Sequence, residues 1–187
     1  QLNIDPKTRM GAWLKNGDIN MPDEEIQRDF FLETSDFLTD AGYVHYEVSN
    51  FARDESFMSR HNCKYWDHSR YTGIGAAAHS FNGSSRFWNH SSVDLYIRDI
   101  KAGIRPVAAS EVLDVDQLRL EKLFLSLRTR RGLDMEDFEN RYSAGHWESR
   151  REILEKLEEE GIIEIKDGFL KPSTLGLALA DSLAVLL

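Results

Sequence analysis

The 187-residue chain holds a single cysteine, Cys63. One thiol cannot close an internal disulfide, so a reducing cytoplasm is the expected compartment. No apolar run approaches the roughly 18 residues of a membrane-spanning helix. The most apolar stretch, Leu175 to Leu187, is too short and contains Asp181. The opening Gln1-Leu2-Asn3 is polar, unlike a signal peptide, and the lack of an initial Met is what a stretch cut from a longer chain is expected to show. A basic excess is also missing: 23 Lys and Arg stand against 32 Asp and Glu, a formal net charge of −9. Phosphate neutralisation needs a basic face, so no nucleic-acid partner is expected. Internal repeats and low-complexity tracts are absent. What remains, 41% apolar residues, is enough for a packed core in one large domain or two small ones.

Helix signals come first along the chain. Residues 7–16 read as a short helix ending at Gly17, and Asn20-Met21-Pro22-Asp23-Glu24-Glu25 opens another, with proline at the first helical position and acids where the helix dipole is positive. Ile26, Phe30, Phe37 and Ala41 mark its apolar stripe and Gly42 its end. Tyr43 to Phe51 alternates and reads as one strand. Residues 52–70 read as a long loop with at most a short turn of helix, its aromatics Phe57, Tyr65 and Trp66 arguing against plain disorder. Tyr71 to Phe81 reads as a strand and tight turn, Arg86 to Asn89 as a second strand, and Ser92 caps a helix through Lys101.

The pattern changes near residue 105. Leu120, Leu123, Phe124 and Leu127 have amphipathic spacing, with Gly132 as the stop. Helices follow from Asp134 and from about Trp147 to Glu160. Lys166-Asp167-Gly168 predicts a hairpin turn, and a last helix starts near Ser173. Three helices, a hairpin and a helix predict a winged-helix-like module over 106–187. Residues 1–105, where a helix leads into a strand, predict an α/β unit. Residues 111–187 carry 11 Lys and Arg against 17 Asp and Glu, so a DNA-binding role for the winged-helix outline is disfavoured. The expected role is a lid or a partner-docking surface.

The richest stretch is Arg60-His61-Asn62-Cys63-Lys64-Tyr65-Trp66, followed by Tyr71-Thr72-Gly73-Ile74-Gly75-Ala76-Ala77-Ala78-His79-Ser80. Histidine, asparagine and lysine contribute little to a core. Together with Tyr46-Glu47-Val48-Ser49-Asn50-Phe51-Ala52, this stretch resembles the HNxxYW segment and its surroundings in the radical-SAM HemN/HemW family, on the branch of the HemW-type heme chaperones. The resemblance extends to the end of the chain. It implies that residues 1–105 are the closing part of a radical-SAM partial barrel and 106–187 a HemN-type C-terminal helical domain. It also implies a whole protein that binds a 4Fe-4S cluster, S-adenosyl-L-methionine and heme, and delivers heme to a recipient protein. The family's cluster loop, CxxxCxxC, is not in this sequence, and cluster ligation needs several thiolates. No catalytic residue is therefore expected within these 187 positions.

The resemblance makes His61, Asn62, Tyr65 and Trp66 the heme-binding candidates. Neutral imidazole is an axial donor for heme iron; the two aromatics can cover the macrocycle, and Asn62 can orient a ligand or a propionate. The bland alternative for His61 is a hydrogen-bonded loop histidine. Cys63 reads as incidental, although Lys64 beside it is of the kind that lowers a thiol pKa. Gly73-Ile74-Gly75 is too short for a dinucleotide fingerprint, and its glycines permit close backbone approach. By resemblance Ala52, Gly73, Gly75 and His79 lie near the S-adenosyl-L-methionine and substrate space, with Ala52 at a strand end where barrel enzymes place ligand contacts. Glu47 is expected to pair with a buried cation or hydroxyl. His45, His68, His90 and His146 lack metal-ligand spacing and read as structural or solvent-facing. Arg128-Thr129-Arg130-Arg131 reads as cations complementing a helix end, with a propionate or partner contact as the alternative. The competing functions are an oxygen-independent coproporphyrinogen III oxidase, also by resemblance, and a non-enzymatic protein-docking module.

Overall fold

The computed structural model describes residues 4–187; the reading of Gln1-Leu2-Asn3 falls outside them. Helix α1 (Arg9–Asn16) begins where the Thr8 hydroxyl accepts the Gly11 N–H at 3.1 Å and stops at Gly17 in the left-handed region. Helix α2 (Glu24–Asp40) is capped by the Asp23 carboxylate, which accepts the Ile26 N–H at 2.9 Å. Pro22 therefore stands one residue before the cap rather than at the first helical position. The predicted apolar stripe of α2 faces outward: Phe30 is 57% and Phe37 74% exposed, while the one buried residue of the helix is Ser35. Phe31, Leu32 and Leu38 are half-buried, Phe31 against the His45 ring, so α2 carries apolar residues on both sides, and spacing alone picks the outer set.

The strand expected over 43–51 is instead a hairpin of β1 (Val44–Glu47) and β2 (Asn50–Ala52). Glu47, fully buried, folds the chain back by accepting from the Ser49 N–H and from the Asn50 amide. The other edge of β1 is covered by residues 128–130: the Val48 N–H donates to the Arg128 carbonyl at 2.8 Å and the Arg130 N–H to the Tyr46 carbonyl at 3.1 Å. Residues 52–70 are not mainly loop. A 3₁₀ turn at Glu55–Phe57 leads into helix α3 (Arg60–Trp66). Strands β3 (His79–Phe81) and β4 (Ser85–Asn89), then helix α4 (Val93–Lys101) and strand β5 (Val107–Val112), complete an antiparallel sheet of order β3–β4–β5. Because β5 pairs with β4 over residues 107–112, this sheet runs across the division expected at 105/106.

Helix α5 (Val115–Ser126) opens on a capping box between Asp114 and Gln117 and ends at Leu127, before Gly132. Strand β6 (Leu133–Asp134), helix α6 (Met135–Arg141), a 3₁₀ turn at Glu148–Arg150 and helix α7 (Arg151–Glu159) follow. Next come strands β7 (Ile163–Lys166) and β8 (Phe169–Pro172) and helices α8 (Thr174–Ala178) and α9 (Ala180–Leu186), two helices where one was expected. The sheet order is β6–β8–β7. Asp167 and Gly168 both have positive φ, as a two-residue hairpin of mirror-image type requires. The main core lies here: Leu127, Leu133, Phe138 and Leu170 are fully buried, each worth about 1.5–3 kcal/mol of apolar transfer. The first part is different, since its buried set includes Ser35, His45, Glu47 and Ser80. The chain is thus a mixed helix-and-sheet structure, and the described strand pairs are antiparallel.

Candidate functional site

Helix α3 positions the HNxxYW residues. The Ser59 hydroxyl accepts the Asn62 N–H at 3.3 Å, and the Ser59 N–H donates to the Tyr46 hydroxyl at 3.2 Å, which ties the helix start to the buried hairpin. A helix sorts its residues by spacing, and here the sorting separates the four candidates. His61 and Tyr65 share the exposed side, their rings edge to face with centroids 4.9 Å apart. Asn62 and Trp66 are half-buried on the other side. Trp66 lines a cleft of about 280 Å³ with Asp67, Lys122 and Arg131, which faces the second part of the chain. The His61 imidazole makes its ring contact with Tyr65 and no hydrogen bond or ion pair among the described residues.

Tyr65 continues into a series of rings. It meets Tyr71 edge to face at 4.6 Å, Tyr71 leans on Phe81 at 6.3 Å, and Phe81 stacks on His68 at 4.7 Å. Tyr71 and Phe81 also exchange backbone hydrogen bonds, both 2.9 Å. His68, in the left-handed region at φ 57, places its Nε2 3.2 Å from the Glu121 carboxylate of α5, which also pairs with Arg86 of β4. Burial holds the His68 imidazole below its usual range, and the Glu121 charge opposes that shift. The segment after α3 is thus tied to α5 through His68 and Glu121, and Trp66 at the helix end lines a cleft with Lys122 and Ser126 of α5.

Cys63 is half-buried in α3, and its thiol is pushed up by burial, then by Asp67 and Glu47. Lys64 does not lower it, contrary to the sequence expectation, because the carboxylates and the loss of water dominate. Among the described residues Glu47 meets neither the expected cation nor a hydroxyl: its partners are a backbone N–H and the Asn50 amide. Ala52 is buried in the β1–β2 hairpin, whereas Gly73, Gly75 and His79 lie at the β3 end of the other sheet. Both glycines have internal reasons. A Cβ at Gly73 would lie 2.1 Å from the His79 carbonyl oxygen, and Gly75, at φ +112, gives its N–H to the Tyr96 hydroxyl and accepts from the Asn89 amide. His79 is exposed and stacks on Trp88 at 5.7 Å.

The remaining histidines are structural. His45 Nδ1 is 2.8 Å from the Ser35 hydroxyl, His90 faces Asp99 at 3.2 Å, and His146 is buried against Phe138 and Trp147. The arginine cluster after α5 does not serve as a helix cap. Arg128 pairs with Asp181, Arg130 donates to the Thr174 hydroxyl and Arg131 pairs with Asp67 of the α3 end, so it fastens α8, α9 and α3 around the exit of α5. An apolar cavity of about 560 Å³ between α2 and the β1–β2 turn is lined by Met21, Phe30, Phe31, Val48 and Phe51, with no contribution from α3.

Comparison with known proteins defines the class. Residues 113–179 match the family model of the HemN C-terminal domain. The chain is similar to the heme chaperone HemW of Lactococcus lactis, 34% identical over 151 residues that cover 81% of this chain and 37% of that protein. It is similar to the heme chaperone HemW of Mycobacterium tuberculosis, 29% identical over 181 residues covering 97% and 44%. The mitochondrial radical S-adenosyl methionine domain-containing protein 1 of Bos taurus is 28% identical over 200 residues, covering 98% and 44%. Among solved structures, the coproporphyrinogen III oxidase HemN of Escherichia coli, described as a radical SAM enzyme, shares the fold with a TM-score of 0.60 at 17% identity, over 88% of this chain and 41% of that one. The chain belongs to the HemN/HemW family of radical-SAM proteins and carries its C-terminal domain. It spans less than half the length of the relatives it matches.

Proposed function

We propose that this chain contributes the heme-contacting segment of a HemW-type heme chaperone. The observation that carries the proposal is His61: an exposed imidazole, free of hydrogen bonds among the described residues, on a helix anchored at its start and flanked edge-on by Tyr65. A free neutral imidazole is the donor that heme iron takes. Tyr65 covers the bound macrocycle, while Asn62 and Trp66 serve from the inner side of the helix, Trp66 by fixing it against α5. Heme is cargo in this reading, passed on to a recipient protein. The relatives named as heme chaperones support the branch; the oxidase neighbour supports the fold.

The whole protein, in the same proposal, holds a 4Fe-4S cluster and S-adenosyl-L-methionine, the latter near Ala52, Gly73, Gly75 and His79. The cluster does not fit the residues of this chain. It requires several thiolates, and Cys63 is the single thiol, half-buried and with its pKa raised. No radical step is therefore assigned to these 187 residues. We propose the division at 105/106 and the winged-helix-like outline of 106–187 on the helix–strand–helix–helix–hairpin order alone. No helix among the described residues is long and apolar enough to cross a membrane; we place the protein in the cytoplasm, with no nucleic-acid partner, from its lone thiol and acidic charge.

The test is a hemin titration followed by visible absorption, on this chain and on His61→Ala. A saturable Soret shift lost in the variant is expected. An unchanged titration in His61→Ala removes the ligand assignment, and absence of a saturable shift in the parent chain removes the heme reading for this segment. Decarboxylation of a porphyrinogen by the whole protein would put the oxidase reading first.

A further inference from the structure

Beside the exposed face of α3 lies a cleft of about 420 Å³ that the function above does not use. Its polar lining is Lys64 of α3, Arg70, Thr72 and Asn82; Tyr71, Phe81 and Phe87 form its apolar wall. Lys64 and Arg70 have no ion pair or hydrogen bond from their side chains among the described residues, and no acidic residue lines the cleft. In a chain where 32 acids outnumber 23 bases, two uncompensated cations in one concavity make a local field that attracts anions.

The cleft is also built. Asn82 holds the turn at its floor, with its side-chain oxygen accepting the Ser84 and Ser85 N–H groups at 3.0 and 2.8 Å. The guanidinium of Arg70 lies against Gly83 of that turn, where a Cβ would approach Arg70 Nε to 2.9 Å. Gly83 stands at φ +105, so glycine both permits the turn and leaves room for the arginine. Lys64 follows His61 by three residues, which puts both on neighbouring sides of α3, and Tyr65 contacts Tyr71 of the cleft wall. The cleft and His61 therefore adjoin one another.

Cations and aromatic rings that line one cleft suit an amphipathic acid, a flat apolar body carrying carboxylate arms. We infer that Lys64 and Arg70 anchor the carboxylate side chains of the tetrapyrrole whose iron meets His61. Arg70 takes one carboxylate in a forked, two-bond contact and Lys64 adds a point charge. This assignment rests on the heme reading of His61 and deepens it. It fixes the orientation of the macrocycle, with its acidic edge toward β3 and β4.

The experiment compares hemin with hemin dimethyl ester, whose carboxylates are masked, in the same mild detergent. Both are titrated into this chain, Lys64→Gln/Arg70→Gln and His61→Ala, with circular dichroism confirming the fold of each. The parent is expected to bind hemin about tenfold more tightly than the ester, an advantage that shrinks with added salt. The double variant should bind the two equally, at the affinity of the ester. In His61→Ala, where the Soret shift is lost, the preference for the free acid should persist when binding is read by quenching of tryptophan fluorescence. Equal binding of hemin and ester by the parent overturns the anchoring, as does a preference that survives in the double variant; both outcomes leave the heme reading intact. No saturable shift with either probe in the parent overturns the heme reading, and the anchoring with it.

Discussion

Acid should destabilise this protein before its carboxylates begin to titrate. His45 and His146 are 4% and 5% exposed, and the Nε2 of each is buried without a hydrogen-bond partner among the described residues. Burial is the main cause that holds both imidazoles below their ordinary value of 6.5, with Arg130 adding to it at His45 and Arg150 and Arg119 at His146, against the opposing backbone groups of Val48 and Glu47 at His45 and of Leu187 at His146. Both are neutral in the folded chain and free to take a proton once unfolded. The unfolded state then binds more protons, so the contribution of these two groups is level well above about pH 6.5 and falls as the pH drops through it, until the folded-state values are reached. Within that window each imidazole removes at most about 1.4 kcal/mol per pH unit, the two together at most about 3 kcal/mol per unit. That is a large share of the roughly 5–15 kcal/mol that holds a domain together. His68 should add less, since Glu121 stands beside it. Urea unfolding by circular dichroism at pH 7.5, 6.5 and 5.5 measures the slope. His146→Phe, placed among the rings of Phe138 and Trp147, should remove roughly half of it. A free energy that stays level or rises between pH 6.5 and 5.5, or a slope unchanged in His146→Phe, would refute the reasoning.

Other expectations concern single contacts. Gly132→Ala introduces a Cβ 2.1 Å from the Leu170 carbonyl oxygen at a backbone φ of +73; a loss of about 2–4 kcal/mol is expected by chemical denaturation, from left-handed strain and displacement of β8. Phe138→Ala empties a fully buried site and should cost about 3–5 kcal/mol in the same assay. Asp114→Ala breaks the capping box of α5 and should cost about 1 kcal/mol. Cys63, with its thiol pushed up, should react with iodoacetamide at neutral pH more slowly than free cysteine, read by mass spectrometry.

Much of the fold was legible in the sequence because local rules and tertiary contacts agree. Ser92 caps the helix it precedes, helices start at Asp134 and Ser173, and Asp167-Gly168 makes its turn. The misses share a cause. The hairpin at 44–52 depends on Glu47, and the helical character of 60–66 on a cap by Ser59 and on Tyr46 thirteen residues upstream. The outward face of α2 was mistaken for the inner one because both sides are apolar.

The sequence by itself determined the composition limits, the helix caps and turns, the single thiol that rules a cluster out of this chain, and the HNxxYW segment through which the family is recognised. These are properties of residues and near neighbours, set by backbone preference, charge and spacing. The tertiary structure alone decided that His61 and Tyr65 face outward while Asn62 and Trp66 turn inward. It also decided that the Arg128–Arg131 cluster fastens three helices, and that Lys64 and Arg70 meet in one cleft beside His61. Such facts depend on which elements pack together, and packing is settled by burial summed over the whole chain rather than by any one stretch of it.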